Sequence, residues 1–296
     1  MFSGLSVKRN VLLAPYTTFK LGGVADFFAI PKTWTELNCL FKEANKYKIP
    51  IYFIGNGSNL LISDQGVRGL VINFSGCFDS ISISASGEEI IVGAAYSFSK
   101  LTKICLKLGW KIALGWVGVP GSVGGAIKMN AGTVFGNLGH SVKMVNLMNF
   151  NKTFFMSHEQ IRFSYRDTEF PPNIALCSVY LSNKYIEPQY GKEFAKTAIE
   201  LIRKRNRKQP TQRSIGSIFK NPKKYFAGHL IELFALKGYR IGGSKISETH
   251  ANIFVNDGAA TSRDMFELCQ FARNIVYDQC KIRLEFEVKF WGFSER

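Results

Sequence analysis

The chain has 296 residues, 38 basic against 22 acidic side chains for a net charge of +16, and 46% hydrophobic residues. That length buries a substantial core and admits about two domains, and the composition is ordinary for a soluble globular protein. No apolar run approaches the roughly 18 residues of a membrane span, and the patch behind Lys8 and Arg9 is too short for a signal-peptide core, so a cytoplasmic protein without membrane insertion is expected.

In chain order, Thr33-Trp34-Thr35-Glu36 opens with a capping-box pattern, and Trp34, Leu37, Leu40, Phe41, Ala44 and Tyr47 recur at helical spacing up to Pro50. The β-rich run Ile51–Ile54 leads into a glycine turn at 55–60. Short strands are predicted at 60–63, 69–74, 81–85 and 89–94. Ser97 starts a second amphipathic helix, closed by Gly109. Residues 115–132 then hold six glycines among apolar or small neighbours. Strands come next at 144–149, 153–156 and 174–182, then helices from Gln189 to about Lys208, at 227–236 and at 261–278, with a strand at 251–255. The last strand, 282–290, alternates Ile282, Leu284, Phe286, Val288 and Phe290 against Arg283, Glu285, Glu287 and Lys289, which share the other face. The pattern is α+β, with a cofactor part up to about residue 186.

The positive charge attracts anions. Its densest run, Arg203-Lys204-Arg205-Asn206-Arg207-Lys208, ends a helix and reads as a solvated face that complements the helix dipole. No nucleic-acid-binding motif appears, so phosphorylated small molecules are the better partner. The six cysteines (Cys39, Cys77, Cys105, Cys177, Cys269, Cys280) form no CxxC pair, and most of them, set among apolar neighbours, read as reduced core thiols. No metal site is expected. His140, His158 and His229 read as satisfied or solvated histidines.

Glycine gives up conformational entropy and side-chain burial, so two glycine-rich turns in an apolar chain call for a backbone that closely approaches a large ligand. A nucleotide cofactor is the first expectation. It is not a Rossmann site: Leu60 stands at the third glycine position after Gly55 and Gly57, and the run LLISDQGVRG is β-like rather than helical. A phosphate at this turn would be held by amides and the Ser58 hydroxyl in a nest between strands. A purely structural turn fits the sequence equally well.

Eight ordered blocks carry a resemblance: TFKLGGVADFFAIP, GNGSNLLISDQGVRGLVI, GVPGSVGGAIKMNAG, FSYRD, GSIFKNP, AGHLIELFALKG, SETHANIFVN and LEFEVKFWG. In these the chain resembles the MurB family, the UDP-N-acetylenolpyruvoylglucosamine reductases of peptidoglycan synthesis. The resemblance implies an FAD-binding fold of the vanillyl-alcohol-oxidase type and a C-terminal α/β substrate-binding domain. The implied division is 1–72 and 73–186 for two FAD-binding subdomains and 187–296 for the substrate domain, with the last strand free to pack back on the FAD part. It implies FAD and NADPH as cofactors, a UDP-sugar enolpyruvyl ether as substrate, and a monomer. An FAD-dependent oxidase of another alcohol or amine is the alternative.

By the same resemblance the FAD contacts are Gly55, Asn56, Gly57, Ser58, Asn59 and Leu60, then Gly118, Val119, Pro120, Gly121, Ser122, Gly124, Gly125, Ile127, Asn130, Ala131 and Gly132. Ser217 of GSIFKNP looks like the proton donor to an enol, Arg166 of FSYRD like the cation that polarises the substrate carboxylate, and Glu287 of LEFEV like its partner. Spacing alone does not separate Glu287 from Glu285; the motif register does. Without the resemblance these read as a turn hydroxyl, a surface ion pair of Arg166 with Asp167, and a solvated glutamate. Tyr165, Lys220, Asn221, Lys237 and His250 are the expected substrate or diphosphate contacts. The short span from Arg166 to Ser217 resembles the subclass without a tyrosine-bearing loop. Thr133-Val134-Phe135 and Thr168 depart from the family pattern.

Overall fold

A computed structural model describes residues 2, 4–150, 152–183 and 192–293. Helix and strand content is mixed, as an α+β chain requires. The first helix, α1 (Trp34–Lys46), begins where Thr33 Oγ1 accepts from the Glu36 amide at 3.1 Å. Only half of the expected capping box forms: the Glu36 carboxylate takes the Lys32 amide instead, at 2.7 Å. The second helix, α2 (Phe98–Lys107), starts at Ser97, which accepts from the Lys100 amide, and Gly109 leaves it at φ +75°. Four strands pair in the order Val7–Leu12, Val24–Ala29, Val67–Asn73, Ile51–Ile54. Periodicity does not mark the first two of these.

The chain divides into two compact units. One comprises Met1–Lys8, Phe28–Gly55 and Gly69–Asn206. It contains an antiparallel five-stranded sheet ordered Thr153–Ser157, Val142–Met148, Ala175–Ser182, Glu89–Gly93, Ile81–Ile83. Alternate residues of Ala175–Ser182 are buried, which gives that central strand its inner face. Phe98, Leu101 and Cys105 of α2 join Trp110, Trp116, Val145 and Val179 in one core. The glycine-rich stretch is not all loop. Its start lies in the 3-10 turns of Lys111–Trp116, and its middle is a short helix, α3 (Val123–Lys128), capped by Ser122. The basic helix is α4 (Lys192–Lys208); the start expected at Gln189 lies outside the described residues.

The other unit comprises Arg9–Phe27, Asn56–Arg68 and Arg207–Arg296. Its three-stranded sheet is ordered Arg240–Ile241, Ser244–Ile246, Phe254–Asn256. It carries α5 (Ala227–Leu233) and α6 (Ser262–Cys280). Thr261 and Asp264 make a reciprocal capping box on α6, and Asp64 accepts from the Ser262 and Arg263 amides at 2.9 Å each, a carboxylate placed on the positive helix end. Leu230, Phe254, Met265, Leu268, Val276 and Leu284 form the core.

The expected strand over 282–290 is largely absent. Only Lys289–Trp291 is a regular strand, parallel to Leu60–Ile62. Before it, the amides of Glu287 and Val288 both reach the Ile218 carbonyl, at 2.8 and 3.4 Å. Two donors on one acceptor is the signature of a bulge, which inserts a residue and ends the two-residue alternation. The two glutamates differ in burial: Glu285 is exposed and Glu287 half-buried.

Candidate active site

Ser217 lies on an irregular edge built from both ends of its unit. It bridges Ile253 on one side, while Ile218 accepts from Glu287 and Lys220 donates to the Glu285 carbonyl at 2.8 Å on the other. Asn252, which is buried, clamps the stretch by accepting from the Phe219 amide at 3.0 Å and donating to the Phe219 carbonyl at 2.8 Å. Ser217 is half-buried, and Gly216 before it sits at φ +82° with nothing within 4 Å of where a Cβ would stand. The serine thus has a fixed backbone and open space beside it. The geometry separates the two glutamates. Glu285 has a 77% exposed side chain and an ion pair with Lys220 at 3.7 Å, whereas Glu287 is half-buried one residue across from Ser217 in the ladder.

Asn59 ties the first glycine turn to this edge. Its Nδ2 donates to the Glu287 carbonyl and its own carbonyl accepts from Lys289, both at 3.0 Å. Gly57, at φ +60°, passes so close to Tyr16 that a Cβ would stand 2.2 Å from that carbonyl oxygen. Only glycine fits there. Among the described residues, the amides of Asn56, Gly57 and Ser58 have no protein acceptor. Leu60 starts the strand Leu60–Ile62.

In the other unit, Gly55 meets the second glycine segment: a Cβ on it would stand 2.5 Å from Ser122 Oγ. The amides of Gly118, Gly121 and Ser122 have no protein acceptor among the described residues, while Val119, Val123, Gly124 and Gly125 spend theirs on protein. Unpaired backbone donors with no carboxylate among them suit anionic oxygens, so each segment by itself offers donors to an anionic group. Pro120 is held between Val119 and Gly121 in this turn. Other glycines of the stretch answer to protein packing: a Cβ at Gly115 or Gly132 would run into the Gly136 carbonyl, and one at Gly124 would press on Ala94. Ile127 and Ala131 are buried in the core. Val134, 97% exposed, and Phe135 sit at the tip of the hairpin formed by Gly132–Thr133 and Gly136–Asn137.

Arg166 occupies a two-residue turn between Arg162–Ser164 and Asp167–Glu169, at φ +59°. Its guanidinium stacks over the Tyr165 ring, 4.9 Å from the centroid. Asp167 pairs instead with Lys128 at 3.4 Å, and Lys128 also holds the Thr168 carbonyl. Thr168, which is fully buried, donates to the Ile127 carbonyl. Asn130 spends its amide on protein, donating to Ser164 at 2.8 Å and accepting from Gly139 at 3.0 Å. That buried asparagine fixes the base of the Arg166 turn.

Of the expected substrate contacts, Lys220 is paired with Glu285, and Asn221 Oδ1 accepts from the Ala227 amide, capping α5. Lys237 Nζ bonds Glu232, and that bond, with the charge of the same ammonium, holds the Glu232 carboxyl below the usual glutamate range. His250 Nδ1 accepts from the Asn252 amide at 3.2 Å. Sequence reasoning passed over Asn252 itself, although an asparagine inside the apolar run of HANIFVN signals a buried polar clamp. Among the described residues no group of three or more metal-ligating side chains occurs.

The comparisons with known proteins agree over nearly the whole length. Residues 209–291 match the family of the UDP-N-acetylenolpyruvoylglucosamine reductase C-terminal domain, and residues 25–151 match an FAD binding domain family. The reductase of that name from Moorella thermoacetica is 35% identical over 289 residues, covering 97% of this chain and 94% of the relative. That of Chloroherpeton thalassium is 38% identical over 298 residues, covering 98% and 94%. The chain belongs to the MurB family. The crystal structure of MurB from Thermus caldophilus superimposes with a TM-score of 0.82 at 33% identity, over 97% of this chain and 99% of that one. The architecture is accordingly that of a MurB protein: α+β, with an FAD-binding domain followed by the family's C-terminal domain.

Proposed function

We propose that the chain is an FAD-dependent, NADPH-consuming reductase that converts UDP-N-acetylglucosamine enolpyruvate to UDP-N-acetylmuramate in peptidoglycan precursor synthesis. The observation that carries this reading is the match along 97% of the chain to reductases named for the enolpyruvoyl sugar. When bound, FAD would supply the hydride chemistry that reduction of the enolpyruvyl double bond requires, with NADPH as the source of electrons. The Ser217 hydroxyl gives the proton that completes the reduction at the adjacent carbon. Arg166 offsets the charge that builds on the substrate carboxylate, and Glu287 stabilises the enolic form with it. The turn at 55–60 and the segment 118–132 hold the cofactor, chiefly through the unpaired amides of Asn56, Gly57, Ser58, Gly118, Gly121 and Ser122. Tyr165, Lys220, Asn221, Lys237 and His250 contact the substrate or its diphosphate. The net charge of +16 favours capture of these anionic ligands.

We also propose the division into parts 1–72, 73–186 and 187–296, the shorter subclass of the family, a monomer, and a cytoplasmic location. No helix among the described residues is long and apolar enough to cross a membrane. The test of function is direct. Purified protein is expected to be yellow, to release FAD on heating, and to consume NADPH only when the enolpyruvyl UDP-sugar is present. A colourless preparation that takes up no FAD overturns the reading, and turnover that needs oxygen as acceptor supports an oxidase instead.

A further inference from the structure

The basic run at the end of α4 is not a uniform solvated face. Arg203, Lys204 and Arg207 are exposed, but Arg205 is half-buried. Its Nη1 donates to the Val117 carbonyl at 3.3 Å, across 88 residues of chain. Its aliphatic stem lies flat on Gly118: a Cβ there would stand 2.4 Å from Arg205 Cδ and 2.9 Å from Nε. Gly118 itself is at φ +71°, a conformation that L side chains resist. So one arginine bonds the carbonyl of the residue preceding Gly118, which opens the GVPG turn, and covers the Gly118 Cα. The unpaired amides of Gly118, Gly121 and Ser122 begin at that point.

We propose that Arg205 is a positioning residue of the cofactor site, a clamp that fixes Val117 and Gly118 so that the amides of this turn are held ready for a phosphate-bearing ligand. The inference rests on the reading of 118–132 as a cofactor segment. Backbone donors bind an anion well only when their orientation is set beforehand, because a turn that must be ordered on binding spends affinity on that ordering. Arg205 does this with a hydrogen bond and a packed stem at once, which is why truncation and charge removal have separable effects.

The test is the FAD dissociation constant of deflavinated protein, followed by flavin fluorescence, together with the melting temperature of the apoprotein. Arg205→Ala is expected to weaken FAD by on the order of 10-fold, the size seen when residues supporting a binding shell are removed. Arg205→Lys keeps a stem and one donor and is expected to recover much of that loss. Gly118→Ala forces a Cβ into the stem, so it is expected to cost less in the Arg205→Ala background than in the parent, a non-additivity that distant, independent sites do not show. Should Arg205→Ala fail to fold, Arg205→Met, which keeps the stem and loses the donor, reads the same constant. Unchanged FAD affinity in these variants, or strict additivity of the two substitutions, overturns the inference while leaving the proposed reaction intact. A parent protein that binds no FAD overturns the reaction instead.

Discussion

The Glu287 amide donates to the Ile218 carbonyl at 2.8 Å, one residue beyond Ser217. That bond joins two motifs about 70 residues apart in sequence, GSIFKNP and LEFEV, into one edge. Val288 shares the same carbonyl, which marks a bulge at Glu287. A serine hydroxyl and a carboxylate thus project from a backbone held by hydrogen bonds.

Ser217→Ala is expected to leave flavin reduction by NADPH nearly intact and to slow product formation by ~10²–10⁴-fold, the usual range for a positioned proton donor. Stopped-flow absorbance separates the two half-reactions. Equal losses in both show that Ser217 is not the specific acid.

The two glutamates are expected to behave differently. Glu285→Gln removes a pair between an exposed carboxylate and the half-buried Lys220, worth about 0–1 kcal/mol of stability, and is expected to leave kcat within about two-fold. Glu287→Gln is expected to lower kcat by about 10²-fold or more, as loss of a group acting on the reacting centre does. Steady-state kinetics of the two variants decide the assignment that sequence spacing leaves open.

Asn252→Ala strips both hydrogen bonds from Phe219 and leaves a buried amide and carbonyl unpaired, at about 1–3 kcal/mol for each orphaned group. The expected outcome is a lowered urea midpoint and, because Ser217 and Glu287 border the loosened stretch, a fall in kcat larger than any rise in KM. A variant with lowered stability and parental kcat at a temperature where it is fully folded shows that the clamp serves stability alone.

The features legible in the sequence are the local ones. Thr33, Ser97 and Thr261 each sit at the start of the helix their patterns announce, because a cap is made within three residues. The glycine turn at 55–57 is legible for the same reason. The bulge at Glu287 is not, because the Ile218 carbonyl that creates it belongs to another motif. The strand Val24–Ala29 escapes the period-2 reading because its apolar run VADFFA alternates poorly, with Phe28 and Ala29 buried side by side. Among the proposed residues, Asn130 and Asn221 turn out to hold backbone groups of the protein, and composition gives no sign of which partner an amide takes. Arg205 is hidden by its neighbours: in a run of basic residues, the one packed on Gly118 reads like the rest.

The buried thiols set a pH limit. Burial raises the Cys77 thiol from 9.0 to about 12, with Glu36 adding to the rise, and burial pushes Cys105, Cys177 and Cys269 up as well. A group whose folded pKa is raised keeps its proton after the unfolded chain has lost it, so above the unfolded value of 9.0 the folded state binds more protons. Their contribution to stability is then fully present below about pH 9 and declines as pH rises through the folded values. Two measurements check this. The urea midpoint is expected to fall between about pH 8 and about pH 10.5, and to fall less in Cys177→Ala, whose starting midpoint is itself lower by the cavity it leaves. At about pH 8 a thiol reagent is expected to spare Cys105, Cys177 and Cys269 in the native protein and to reach all six cysteines in urea. Ready labelling of those three without denaturant shows that their cores open far more often than the packing around Trp110, Val179 and Leu268 allows.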